Sequence, residues 1–523
     1  MVPGRRLHSA LTLSEIRKAG IFLRVFHSIH RSGMLSHSTF YSRRDFLRLT
    51  GAAATAAATG PAFIQGTSGQ ITVDEISTGQ RPQQSPDISV VNPRGRVPLS
   101  FIIDDSTCLV NMGHFCMPQF ANAFPTRDAY KKPWRDWPRE IPDDFVREFA
   151  DWCDSRGVRG KYSVVPYPAC VGWVDRFLPG WSQQDLENSL KLVRERMLPH
   201  WDIHPEMISH TRVLDLSTGR PFSEVNLHTM ENSHPHQPVS VDYLTDYISR
   251  ALQVLHNVDL PCDGFTTPGG FGNRVKDQLS LGGMRAVREV FNVEVPHYFK
   301  YLELDPERST LPRIEHVSGL GTDDVRCMVN IIAGTGDWFG GWDGVSAGDI
   351  DESADRFITG DGSSGRMVEM IRRQEPAIML CHWPGIFCNG ARTGFRIFQK
   401  AVDRLNQHYS GLTQWMKLTD IARYYAAAEL TSIRLRKTSA GEHTIDLDAP
   451  FHAPDFTMRI PLPLASGARP AIAGRPPMAA VESYSELREN SFLRLGERIE
   501  SALVCLNLPK GRTTIQVGRP QGA

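Results

Sequence analysis

Between Pro98 and Ala428, short apolar runs alternate with amphipathic stretches of helical period. Runs at residues 100–103, 160–165, 207–209, 264–267, 326–333 and 377–381 read as strands. Stretches at 143–156, 184–197, 241–256, 284–291, 364–373 and 391–409 read as helices. This alternation restricts the chain to an α/β architecture, because parallel strands need helical crossovers between them. About seven strands of this kind suit a closed or nearly closed barrel, with a doubly wound open sheet as the alternative.

The texture changes on both sides of that unit. Residues 429–523 hold short strand-like runs split by Gly, Pro and Asp turns, which read as a small β-sandwich appended to a barrel spanning 96–428. Residues 64–95 are rich in Ser, Thr, Gly, Gln and Pro and read as a flexible linker. Within residues 1–63, Arg43 and Arg44 precede a Phe-Leu pair and an alanine-rich stretch. That is the layout of a twin-arginine signal, with Met34 a plausible true start. It implies recognition by the twin-arginine translocase and a periplasmic or extracellular destination. The alanine-rich stretch is too short and too weakly apolar for a stable membrane span.

Bulk composition narrows the partners. The 523 residues carry 58 basic and 58 acidic side chains, for a formal net charge of +0. No overall field attracts nucleic acid or a membrane surface. A neutral polar ligand such as a glycan suits this balance. The nine cysteines are scattered without a Cys-x-x-Cys pair, so neither a disulfide framework nor a zinc ribbon is indicated.

In parallel α/β folds the chemistry sits at the C-terminal ends of strands. Here several strand candidates end in reactive side chains: Asp104 and Asp105, then His210 after Glu206, then Thr266, then Asp337 with Trp338, and finally His382. Two adjacent carboxylates repel unless a cation or hydrogen bonds hold them. A single strand-end His is more often a structural hydrogen-bonder, but recurrence at one topological position points to a site.

This series resembles the polysaccharide deacetylase family, which includes chitooligosaccharide and peptidoglycan deacetylases, over roughly residues 98–425. The resemblance implies a distorted seven-stranded (β/α) barrel. Ile103-Asp104-Asp105-Ser106 matches the family's opening motif, which makes Asp104 the general base and Asp105 a metal ligand. Ser209-His210-Thr211 matches the first half of the His-Ser/Thr-x-x-x-His motif, which makes His210 a second ligand. The second His of that motif is replaced by Leu214, so one ligand is unassigned; His228, His234 and His236 are possible substitutes. Thr266 stands where the family has an Arg that orients the base. Asp337 with Trp338, or Trp342 with Asp343, partly matches the Asp-x-x-Asp-Trp motif. Leu380-Cys381-His382 matches the last, which makes His382 the general acid.

The resemblance therefore implies a hydrolase that removes acetyl groups from a glycan with one divalent ion, of zinc type. Trp338, Trp342 and Trp383 could stack on sugar faces, or pack against loops. Two other classes stay open. One is a metal-independent glycoside hydrolase pairing Asp104 or Asp105 with Asp337. The other is a non-catalytic carbohydrate-binding protein on a degenerate barrel.

Overall fold

The computed structural model of the chain describes residues 81–345, 348–437, 443–462, 467–495 and 501–518. The leader and the first part of the expected linker lie outside the described residues. The α/β unit contains two sheets. In the first, β1 (Val97–Asp104) is flanked by β8 (Ala377–His382) and β2 (Gly160–Ser163), with β3 (Trp201–His204) beyond β2. All these pairs are parallel, and β9 (Thr413–Trp415) adds to the first half of β1. Every residue of β1 is buried, as expected for a strand covered on both faces. Gly160 is required where it stands, because a Cβ there would lie 2.0 Å from the Phe101 carbonyl oxygen.

The second sheet runs β4 (Gly264–Thr266), β5 (His297–Leu302), β7 (Arg326–Ala333), with β6 (Arg313–Ser318) antiparallel at its edge. The two sheets meet through a single Glu206–Thr266 bridge on one side. On the other, Gly334 N–H donates to the Ile378 carbonyl (3.0 Å). Continuous ladders stop at these two joins, so the unit, expected as a closed or nearly closed seven-stranded barrel, is a mixed α/β fold of two sheets that touch on both sides without a closed ring of ladders. The antiparallel return of β6 and the three-residue length of β4 interrupt the ring.

Helices cover the outside. Among them, α1 (Met112–Ala123), α2 (Asp143–Ser155), α3 (Val241–His256) and α4 (Thr393–Tyr409) direct apolar faces inward. The densest packing is aromatic: Phe101 stacks on Phe398 at 4.3 Å, and Phe149 sits 5.6 Å from Trp201. Each fully buried ring of this kind contributes about 1.5–3 kcal/mol relative to exposure.

The C-terminal residues form two further sheets. One holds Ser432–Lys437, His443–Ala449, Gly511–Gly518 and Arg469–Ile472, all antiparallel. The other is built around Ala453–Pro461 and Ser501–Leu508. Ile445, Leu447 and Ile515 from the first share one core with Phe456, Met458 and Val504 from the second. The end of the expected linker belongs here. Ser89–Val91 is a strand paired antiparallel with Ala453–Pro461, and Gln84 bridges to Ile433. Residues from 84 onward are therefore not linker, because their backbone groups complete the edges of these sheets.

Candidate active site

The reactive side chains gather where β1, β8 and the loops after β3 and β7 end. The alternation of a strand sends Asp104 and Asp105 to different sides. Asp104 is fully buried, and its Oδ1 lies 2.5 Å from Nζ of Lys161, itself fully buried on β2. Lys161 also donates to the Ile103 carbonyl (3.0 Å) and to Ser163 Oγ (2.6 Å). Asp105 takes a left-handed backbone, φ 57°, and turns toward a cavity.

Glu206 and His210 approach Asp105 from the loop after β3. Asp105 N–H donates to Glu206 Oε2 (2.8 Å), and Ser163 Oγ donates to the same oxygen (3.2 Å). His210 Nε2 lies 2.7 Å from Asp105 Oδ1 and 3.6 Å from Glu206 Oε1. One ligand atom from each of Asp105, Glu206 and His210 falls within 4.8 Å of the others, and all three residues are buried. No other such donor cluster occurs among the described residues. Burial opposes a charge on His210, but Asp105 beside it, with Cys116 and Glu206, outweighs burial and raises its pKa well above the usual value. Two buried carboxylates thus call for a cation between them. A divalent ion on this donor set meets that need with residue types suited to zinc.

The loop that carries His210 is held by a third buried carboxylate. Glu231 accepts from the backbone N–H groups of Ile208 (3.2 Å), Ser209 (3.0 Å) and His210 (2.5 Å), and from Tyr247 OH (2.6 Å). Met207 and His210 both have positive φ, 51° and 64°. Such conformations cost of order 1 kcal/mol or more each, and the Glu231 bonds offset them. Burial raises the Glu231 pKa to about 7, against the opposing effect of Tyr247 and the backbone donors.

Across the cavity, His382 Nδ1 lies 2.7 Å from Asp337 Oδ2, and His382 N–H donates to the same oxygen (3.1 Å). With a carboxylate on Nδ1, that nitrogen carries the proton and Nε2 is left to face the cavity. His382 Nε2 is 4.0 Å from Asp105 Oδ2. The cavity, of about 160 Å³, is lined by Asp105, His210, Asp337 and His382 together with Phe120, Tyr130 and Trp342, and the Phe120 ring lies 6.2 Å from that of His210.

Five sequence-derived candidates therefore line one cavity: Asp105, His210, Asp337, Trp342 and His382. Four others do not. Asp104 is not among the cavity-lining residues; it is fully buried, with its Oδ1 on Nζ of Lys161. Trp383 is core, packed on Phe145 (5.1 Å) and Phe149 (5.0 Å). Trp338 packs on Phe357 (4.9 Å) beneath the Arg356 guanidinium. Thr266 is buried beside His204, 3.3 Å from its Nδ1. His234 is bonded to Tyr243 OH instead of reaching the donor cluster, and His228 and His236 are also outside it. The third donor of the cluster is Glu206, four residues before His210, where the sequence left one ligand unassigned. That acid was visible in the sequence, but a loop and not a helix brings the two together.

A second polar group lies deeper, beneath the site. His204 Nε2 is 3.0 Å from His297 Nε2, both fully buried. Burial, together with Lys161, pushes His297 down to about 3, and burial, His297 and Lys161 hold His204 well below its usual value. Both are neutral when folded and have a pKa near 6.5 when unfolded. Their contribution to stability is therefore complete above pH 6.5 and is lost as pH falls toward 3, by up to about 1.4 kcal/mol per unit and per group. Urea unfolding of ion-free protein between pH 7 and 4.5 is expected to show wild type losing more stability on acidification than His297→Gln. Parallel curves for the two would contradict this assignment.

No family model matches the sequence, and no curated protein matches it. Solved structures similar to this chain include a mutant of a CE4 family pseudoenzyme with restored enzymatic activity. It is 10% identical, with 62% of this chain and 68% of that one covered and a TM-score of 0.28. A Parabacteroides distasonis protein described as a glycoside hydrolase/deacetylase is 10% identical over 72% of this chain and 83% of its own, with a TM-score of 0.34. Likenesses this distant assign no roles, and the roles below come from this chain's own side chains.

Proposed function

We propose that this chain is a divergent polysaccharide-deacetylase-like hydrolase that removes acetyl groups from a glycan with the help of one divalent ion, of zinc type. The observation that carries the reading is the pairing across one cavity of a buried Asp105–Glu206–His210 donor set with the His382–Asp337 dyad. Asp105, Glu206 and His210 would hold the ion. Such an ion polarises an acyl oxygen and makes water more acidic.

The chain's own residues supply the proton transfers. Asp337 fixes the Nδ1–H tautomer of His382, so Nε2 can accept a proton from the attacking water. The same imidazolium then returns that proton to the departing sugar nitrogen or oxygen. Water contributes oxygen to the acetate released and hydrogen to the amine or alcohol left behind. The C–N or C–O bond of the acyl group is the bond broken. With Asp104 buried beside Lys161 and outside the cavity lining, His382 is assigned both transfers. Phe120, Tyr130 and Trp342 offer an apolar wall for a sugar face or an acyl methyl.

The paired-carboxylate glycosidase is less well supported. The two cavity carboxylates, Asp105 and Asp337, are each engaged by a histidine, so neither is placed as an acid toward a glycosidic oxygen.

Elemental analysis tests the ion. Protein purified after growth with added zinc is expected to carry about one ion per chain. Asp105→Ala, Glu206→Ala and His210→Ala should each lose it. Chelation should lower the melting temperature of wild type, since ligand binding and folding are linked. Folded wild-type protein free of any ion after such growth would overturn the reading.

A further inference from the structure

Among the described residues, the cavity lining includes a cation that the proposed catalytic groups do not use. Arg127 lies on the loop after α1 and lines the cavity with Asn232, the Gly269–Gly270 backbone and the aromatic wall. Its guanidinium rests 4.7 Å from the centre of the Phe124 ring. Among the described residues it has no carboxylate within 4 Å and no side-chain hydrogen bond. Its neighbour Lys132, by contrast, is taken up by the buried carboxylate of Asp343. The nearby carboxylates Asp105 and Asp337 are engaged by His210 and His382. A planar guanidinium held on an aromatic face and left without an anion is suited to bidentate capture of an oxyanion.

A second group points the same way. Asn232 Oδ1 is buried with no hydrogen-bond partner among the described residues. The Asn232 backbone carbonyl accepts from Gly270 N–H (2.7 Å), which pins the residue to the cavity rim. Its side-chain amide is therefore available to a hydroxyl or N–H of a bound molecule. Trp342 stands edge-on to Phe120 (5.4 Å) and Tyr130 (5.8 Å), forming a rigid apolar face beside these polar groups. Apolar face, amide and guanidinium together match a sugar ring that carries a negative substituent.

We propose that the substrate is an acidic acylated glycan. Its anionic substituent, a carboxylate, sulfate or phosphate, is bound by Arg127, while Asn232 fixes a neighbouring hydroxyl or amide. The proposal rests on the catalytic reading above for the acyl group only; the anion site stands on Arg127 and Asn232.

The test compares acetylated trisaccharides of equal length: one of glucose, one containing glucuronate, and two bearing a sulfate or a phosphate ester in place of the carboxylate. Calorimetry with the ion-loaded protein measures binding, and acetate release measures turnover. At low salt, at least one acidic trisaccharide is expected to bind about 10–100-fold more tightly than the neutral one, the range of a charge-assisted hydrogen-bond pair. Which acid wins identifies the anion. Added salt should shrink the advantage. Arg127→Met should reduce it to about twofold or less, while Arg127→Lys keeps part of it, with unchanged melting temperatures confirming the fold of both. Equal affinity for acidic and neutral sugars, no binding of any of them, or an advantage that survives Arg127→Met would overturn the proposal. The two readings fail separately. Acid-selective binding without acetate release removes the deacetylase reading and keeps the anion site. Acetate release at equal rates and affinities from all four does the reverse.

Discussion

His382→Gln is expected to lower turnover of an acetylated substrate by about 10²–10⁴-fold, the usual worth of a positioned proton-transfer group. Glutamine keeps a polar group of similar reach, so the fold and the proposed ion site should persist. KM should change much less than kcat, since the proton moves mainly in the transition state. Asp337→Asn should reproduce much of the loss, by removing the acceptor that holds Nδ1–H. The limb of the pH–rate profile that reports the imidazole should disappear with His382. Near-normal turnover in His382→Gln would return the dyad to a structural role and remove the proposed mechanism with it.

Lys161→Met is expected to destabilise the chain by about 3–5 kcal/mol, because it strands the fully buried Asp104 without its counter-charge. Such a loss is a large part of a typical stability. The double variant Asp104→Asn with Lys161→Met should recover most of it, since no charge then remains to be paired. The non-additivity of the two changes, read by urea unfolding, measures the coupling. Lys161 also reaches Glu206 through Ser163 Oγ, so the single variant should bind the proposed ion more weakly. A loss below about 1 kcal/mol would show that Asp104 is not held as a buried charge.

What could be read in advance followed apolarity. The helix expected at 241–256 is found as Val241–His256, and the runs ending at Asp104 and near His382 are strands. What escaped was the polar interior. The strand before His210 is Trp201–His204, not residues 207–209, and β5 was missed altogether. Both carry residues that disguise a buried strand: Asp202 and His204 in one, His297 and Lys300 in the other. Each is satisfied inside the fold. Asp202 accepts from Thr419 N–H (2.7 Å), His204 meets His297, and Lys300 donates to the Phe271 carbonyl. Linear patterns do not reveal such partners, because they come from distant parts of the chain. The same limit hid Glu206 and Glu231. Their roles depend on a loop conformation with positive φ at Met207 and His210, which residue spacing does not encode.

The pairing of Ser89 with Arg459 has a consequence for synthesis. The two residues are about 370 positions apart, and the α/β unit lies between them in the chain. At the usual pace of about 5–20 residues per second, the first described strand waits roughly 20–70 s on the ribosome for its partner to be made. Throughout that interval β1, which begins only a few residues later, can collect its neighbours β2 and β3 without help from the C-terminal sheets. The strand Ala453–Pro461 then pairs with Ser89–Val91, so completion of that edge reports that translation has passed the whole α/β unit.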